Sequence, residues 1–326
     1  MFFMCIELLG FPTVLFGDHV HTLCGSVPPA FFILSGYLVM RRSEDRSQRI
    51  VRTIRRTAVT FGLLAAAYFV LNLLYCLLLG TNILAYFADG KLWLDFLLLN
   101  VWPFEIGSAI WYVQALLYAY VILYFLDKWK LLKFDWLIAA VLFLLNAATG
   151  EFSGLIGWNI LGYTYLPGNF LTRALPYLLL GGFIHRHMKK LLNVRRQWYW
   201  CILIGGVLLT LIEKALLDPF VVPNYCDHLI GMSVIAFSVC MLAFKRKNRS
   251  GFEKALGLDR RYTNFIYYLC QPVGMGLTLL LSAAPHSDAS IVDLLSEWTG
   301  VITFIFCFLL VVLFAYIDKT ARSKNR

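Results

Sequence analysis

Few side chains in this sequence are able to do chemistry, and most of them lie at the edges of long apolar runs. Glu7 stands inside one, in MCIELLG. A carboxylate within a membrane segment is costly and is a functional candidate by default, here as a general acid or base. The competing reading is a hydrated group near the outer interface. His19 and His21 follow in GDHVHTLCG. An H-x-H pair can bind metal or accept a proton, but no third ligand stands nearby, so the pair reads as a loop-borne base candidate and no metal site is expected. Arg49, Arg52 and Arg56 recur at i, i+3 and i+7, one face of a helix. Such a face suits an anionic ligand carrying phosphates, with anchoring to anionic lipid heads as the alternative. Farther on, WPFEIGSAIWYVQ offers Trp102, Trp111 and Tyr112 as an aromatic interface belt or a sugar-stacking platform beside Glu105 and Gln114. Arg173, in FLTRALPYLLLGG, is an arginine on the side where the charge pattern leaves no reason for one, so it should pair with a carboxylate or bind an anion.

The elements that must position these groups are membrane helices. Of 326 residues, 60% are apolar and only 15% charged, against about 25% charged in a soluble domain. The surplus apolar surface requires lipid as its solvent. Apolar segments fall at 1–16, 27–40, 57–79, 109–126, 135–149, 172–185, 198–216, 228–244, 263–283 and 298–317. The expected fold is therefore an all-α polytopic membrane helix bundle of about ten transmembrane helices, forming one domain over 1–326. The segment 92–101 is too short to cross and should be interfacial or re-entrant. The first span begins at Met1 and is only about 24 Å long as a helix, so either a longer reading frame or a shortened first helix is expected. The eight cysteines form no CxxC pair and mostly sit in apolar runs, as small apolar filler.

The basic residues sort by loop. Counted over 41–56, 127–133, 185–197, 245–261 and 318–326, they number 26 of the 29, leaving Lys91, Arg173 and Lys214 opposite. By the positive-inside rule the basic loops and the C-terminus are cytoplasmic, while 17–26, 80–108, 150–171, 217–227 and 284–297 face outward. The net charge of +10 is thus a matter of topology, and no nucleic-acid partner is expected. There is no GxSxG, P-loop, GxGxxG or zinc signature.

Five segments, in order along the chain, resemble motifs of the membrane acyltransferase type 3 family, integral-membrane O-acyltransferases of bacterial surface glycans. VPPAFFILSGYLV (27–39) is similar to its V-P-x-F-F-x-x-S-G-Y/F motif, and the basic helix 48–56 to its R-x-x-R element. AIWYVQALLYAYVIL (109–123) resembles L-W-Y-L-x-x-L, TRALPYLLLGGFI (172–184) resembles R-x-x-x-Y-F-x-x-G, and FIYYLCQPVG (265–274) resembles I-Y-L-x-H-x-P. The resemblance implies acetyl-CoA, or another acyl-CoA, as a co-substrate entering from the cytoplasm. The acceptor would be a surface glycan or lipid-linked sugar arriving from outside, and the location the cytoplasmic membrane of an enveloped cell. It implies that Arg49 and Arg52, with Arg56 on the same face, hold the CoA phosphates. Trp111 and Tyr112 would line the site, and Arg173 and Gln271 would lie on the acceptor side. A first-span histidine serves the family as general base; here Glu7 stands near that position, with His19 and His21 closer to the S-G-Y motif, and Gln271 replaces the ninth-span histidine. A catalytically inactive relative, or a transporter of a small molecule or glycan, is the alternative.

The charge partition gives a direct expectation. Reporters fused at Lys130, Lys190 and Lys247 should read cytoplasmic and those near Gly90, Gly168 and Asp288 external. An external signal at Lys190 would mean that the span count is wrong.

Overall fold

The computed structural model describes residues 17–40, 46–80, 82, 84–104, 110–150, 152–153, 169–217, 229–245, 268–277 and 298–324. Among these, every regular element is a helix. The principal ones are α1 (Gly17–Cys24), α2 (Val27–Val39), α3 (Arg46–Leu79), α4 (Gly90–Leu99), α5 (Ile110–Lys128), α6 (Asp135–Thr149), α7 (Leu175–Asn193), α8 (Arg196–Leu217), α9 (Ile230–Phe244) and α10 (Thr299–Lys324). Five stretches are long and apolar enough to cross a membrane: His19–Val39, Arg46–Leu77, Ile110–Lys128, Leu131–Thr149 and Arg196–Leu217. Ile230–Phe244 and Thr299–Phe314 are shorter apolar helices. A polytopic helical membrane bundle, as the composition requires, is what the chain forms. The first expected span, 1–16, lies outside the described residues.

The chain packs as two compact units. One comprises Gly25–Phe104 with Ile110–Lys245, and the other Met1–Cys24, Glu105–Ala109 and Arg246–Arg326. In the second unit Cys270, Cys307 and Val311 are buried together, with Phe304 and Phe308 against them.

The first unit is built on a close approach of α2 and α7. A Cβ placed on Gly36 would fall 2.0 Å from the carbonyl oxygen of Leu178, and one on Gly181 would fall 2.1 Å from that of Ile33. Lipid supplies no hydrophobic force between helices, so association depends on van der Waals contact, and small residues let backbones meet. Phe32, Ile33, Tyr177, Leu178 and Leu179 are buried around this crossing. The same device joins α8 to α9, where a Cβ on Gly231 would meet Thr210 Oγ1 at 2.3 Å and the Thr210 nitrogen at 2.5 Å. Leu229 offers α9 no side-chain cap. Glu213 of α8 replaces it, its carboxylate accepting from the Gly231 N–H at 2.9 Å. A negative group at a helix N-terminus satisfies amides that would otherwise be orphaned in lipid.

Three ties gather the basic turns at one end of this unit. Arg46 at the start of α3 pairs with Asp127 near the end of α5, at 3.3 Å. Asp135, fully buried at the start of α6, pairs with Arg186 of α7. Lys245, after α9, donates to the Val194 carbonyl between α7 and α8. Outward from the core, Val59 and Leu63 of α3 and Ile204 and Leu208 of α8 are exposed, as lipid-facing residues must be.

Several boundaries differ from those expected. Residues 17–24, expected in a loop, form α1. The basic helix expected at 48–56 is present, but it is not set apart from the span that follows: both lie within α3, a continuous 34-residue helix. Its roughly 51 Å exceeds a hydrocarbon core of about 30 Å, so the arginine-bearing turns extend beyond it. α7 begins at Leu175 and runs to Asn193, taking in most of the basic stretch expected as a loop. Lys and Arg are good helix formers, and no Gly or Pro interrupts the helix after Gly182. α4, at ten residues, is too short to cross, as expected.

The glycine crossing is open to test. Gly36→Ala and Gly181→Ala should each destabilise the protein by about 1–3 kcal/mol or more, because backbone atoms stand where the methyl would go. Gly205→Ala, with nothing within 4 Å of the added atom, should be neutral or stabilise by about 0.5–1 kcal/mol. Thermal unfolding in detergent reads the difference.

Candidate active site

At the end of the first unit opposite the basic turns, α2, α5 and the start of α7 bring three groups together. The chain enters α7 through a π-helical turn, Phe170–Ala174. Asn169 caps it, its Oδ1 accepting from the Leu171 and Thr172 N–H groups at 2.8 and 3.2 Å. Turns of this kind occur frequently at functional sites. This one carries Arg173, which is 8% exposed. The guanidinium lies over the Trp111 ring, 5.0 Å from its centroid, a contact worth about 2 kcal/mol or more when desolvated. Trp111 meets Phe32 edge-on at 6.2 Å. Tyr112 packs on Phe32 at 4.6 Å and edge-on to Phe31 at 6.4 Å. Below them the Tyr177 hydroxyl shares a 2.6 Å hydrogen bond with Ser233 of α9.

A second ring of contacts fixes α5. Tyr118 meets Phe170 of the π-turn edge-on at 4.9 Å. Gln114, fully buried, donates through Nε2 to the Phe96 carbonyl of α4 at 2.7 Å and to the Tyr118 hydroxyl at 3.2 Å. Asn100, the C-cap of α4 in the left-handed region (φ 66°), donates through Nδ2 to the Trp111 carbonyl at 2.8 Å. The half-buried Trp102 ring meets Phe96 and Phe104 edge-on, each at 5.5 Å. Phe104 in turn contacts Phe69, Tyr86, Phe87 and Trp93.

Three of the expected site residues, Trp111, Tyr112 and Arg173, therefore converge. A desolvated guanidinium can hold an anionic or carbonyl oxygen, and aromatic faces can take the apolar face of a sugar ring. Arg49, Arg52 and Arg56 share one face of α3 near the basic end, Arg49 half-buried and the other two exposed. Near that end Tyr37 contacts the His185 ring at 5.1 Å and Phe244 at 4.4 Å. His19, exposed, and His21, half-buried, lie on α1 rather than in a loop, and Gln271 is buried; all three belong to the second unit. Glu7 lies outside the described residues. Among the described residues no three His, Cys, Asp or Glu side chains are grouped to hold a metal.

Asn100, Tyr118 and Asn169 carry geometry that the sequence reading did not single out. Asn169 had a signal, a capping residue directly before an apolar helix. Asn100 and Tyr118 had none, since their partners are 11 and 52 positions away in the chain. Asn169→Ala should cost about 0.5–2 kcal/mol of stability through loss of the cap, and Asn169→Asp should restore most of it, as read by thermal unfolding.

An acyltransferase domain model matches residues 8–317. An amino-acid racemase of Enterococcus faecalis is 22% identical over 264 residues, covering 75% of this chain and 34% of that protein. The chain thus spans about a third of the length of that curated relative. No solved structure matches.

Proposed function

The chain belongs to the acyltransferase family whose domain it matches over nearly its whole length, and from that membership we propose that it is a multi-pass O-acyltransferase of the cytoplasmic membrane, moving an acetyl group from cytoplasmic acetyl-CoA to a hydroxyl of a surface glycan or lipid-linked sugar. The observation that carries this reading is the stacking of Arg173 on Trp111, where the segments 27–39, 109–123 and 172–184 meet. On this reading the basic end faces the cytoplasm, as does the C-terminus, and the Trp111 end faces outward. Arg49, with Arg52 and Arg56 on the same helix face, takes the CoA phosphates. Arg173, Trp111 and Tyr112 serve the acceptor side, together with Gln271.

The reaction needs one base. Glu7, or failing it His19 or His21, removes the proton of the acceptor hydroxyl. The oxygen attacks the thioester carbonyl, the new C–O bond forms, the C–S bond breaks, and the CoA thiolate leaves and is protonated. A guanidinium placed against the developing oxyanion lowers the barrier without reorganising at the moment of reaction.

Two measurements test the proposal. In purified protein, Arg49→Ala with Arg52→Ala should weaken CoA binding, each lost contact to a phosphate being worth roughly 1.5–3 kcal/mol. Orientation should survive, because Arg41, Arg42 and Arg46 remain. In cells, Glu7→Gln should abolish acetyl transfer, while His19→Ala and His21→Ala each retain most of it and Glu7→His is the best tolerated change at that position. An active Glu7→Gln with a dead histidine variant moves the base to α1.

A second reading is a non-catalytic bundle that binds or moves a small molecule. It is favoured by Gln271 standing where the family motif has histidine, and by the likeness to part of a protein named for amino-acid racemisation. Absence of transfer by the parent protein and by every variant would favour it.

A further inference from the structure

Asn100 and Gln114 form a reciprocal pair. Each sends its amide N–H to a carbonyl on the other's helix segment, Asn100 to Trp111 and Gln114 to Phe96. Both side chains are more than nine-tenths buried, at 5% and 0% exposure. The other half of each amide is the unexpected part: Asn100 Oδ1 and Gln114 Oε1 are buried with no hydrogen-bond partner. Exchanging O and N on either amide would turn an oxygen toward a backbone carbonyl, so the donating partners fix the assignment. Native interiors rarely strand acceptors in this way, and two within one pair point to a donor supplied from elsewhere.

If the pair only fastened α4 to α5, its two stranded oxygens would be a desolvation penalty with nothing to offset it, and apolar side chains would do the packing at less cost. The placement says more. Trp111, under the Arg173 guanidinium, carries the carbonyl that Asn100 holds, and Gln114 lies one turn farther along α5. None of the ten residues of α4 is buried, so this helix is the lightly held wall of the arrangement.

We propose that Asn100 and Gln114 are a specificity-determining subsite of the acceptor, their carbonyl oxygens receiving hydroxyl or N–H donors of the sugar ring that bears the reacting hydroxyl. This rests on the acyltransferase reading for its acceptor side, but its chemistry is binding alone. A ligand rich in donors fits, and an acceptor without hydroxyl or N–H groups beside the reacting one does not. A site built to hydrogen-bond a substrate rejects analogues lacking the donor far more strongly than an apolar pocket rejects a change in size.

The test uses the full chain, purified in detergent, with an envelope glycan and glycolipid extract of the cells that carry it. Two arms run in parallel: retention of extract carbohydrate on immobilised protein, and transfer from labelled acetyl-CoA into the extract. Gln114→Met and Asn100→Gly remove the oxygens, the latter without straining the left-handed backbone. Each should raise the half-saturating extract concentration about tenfold in both arms, the worth of one hydrogen bond, with the half-saturating acetyl-CoA concentration unchanged. Gln114→Glu keeps acceptor oxygens and loses the N–H to Phe96. It should unfold as early as Gln114→Met yet recover most of the lost affinity. Equal affinity loss in Gln114→Met and Gln114→Glu, following their unfolding temperatures, would overturn the subsite and leave a structural staple. Carbohydrate retention that depends on these residues, in a parent protein that transfers nothing, would uphold the subsite and overturn the acyltransferase reading. A parent that neither retains carbohydrate nor transfers acetyl would overturn both.

Discussion

Gly36 and Gly181 fix the distance at which α2 and α7 cross, and the rest of the larger unit depends on that distance. The two backbones meet with no side chain between them. That contact sets Phe31 and Phe32, one turn from Gly36, against Trp111 and Tyr112 on α5. It also sets the π-turn before α7 beside the same aromatic pair. A wider crossing would separate Arg173 from Trp111 by more than a cation–π contact tolerates. In lipid there is no hydrophobic pressure to close such a gap, so small residues at the crossing do what apolar bulk does in water.

Polar groups in this bundle are concentrated at its two ends, and they are spent differently. At the basic end, ion pairs join α3 to α5 and α6 to α7, and Lys245 reaches the turn between α7 and α8. Each brings together helix ends adjacent in space but distant in sequence. At the other end, side chains satisfy backbone groups: the Glu213 carboxylate for α9, and amides at Asn169 for the π-turn and at Asn100 and Gln114 between α4 and α5. Backbone groups left open within lipid cost several kcal/mol each, which these side chains avoid at the described helix ends. Arg173 is a buried cation at this end, its guanidinium over the Trp111 ring.

On the proposed function the protein faces a transport problem as well as a chemical one, because donor and acceptor would lie on opposite sides of the membrane. The proposed function assigns the phosphates of the donor to α3 and the acceptor to the Trp111 end. The thioester must then reach across the bundle to meet the hydroxyl. Rigid crossings such as that of α2 with α7 suit such a path, since they hold its two ends in fixed relation while substrates move.

Much of this was legible in the sequence, because lipid imposes simple rules. Apolar length required spans, and the excess of basic residues grouped the turns that the ion pairs then join at one end. Five motifs in order led to the acyltransferase family, and Arg173 stood out as a cation without a topological reason. Trp111, Tyr112 and Arg173 were named from type and position, and they meet. The expected basic helix at 48–56 is there, continuous with its span, but the basic run up to Asn193 was taken for loop and is helical, because arginine and lysine propagate helices as readily as apolar residues do. Only the tertiary structure could decide what lies across a helix interface: the backbone contact at Gly36 and Gly181, the guanidinium over the Trp111 indole, and the two amides whose oxygens face no donor among the described residues. These are facts of relative helix rotation and distance, and periodicity along one chain carries neither.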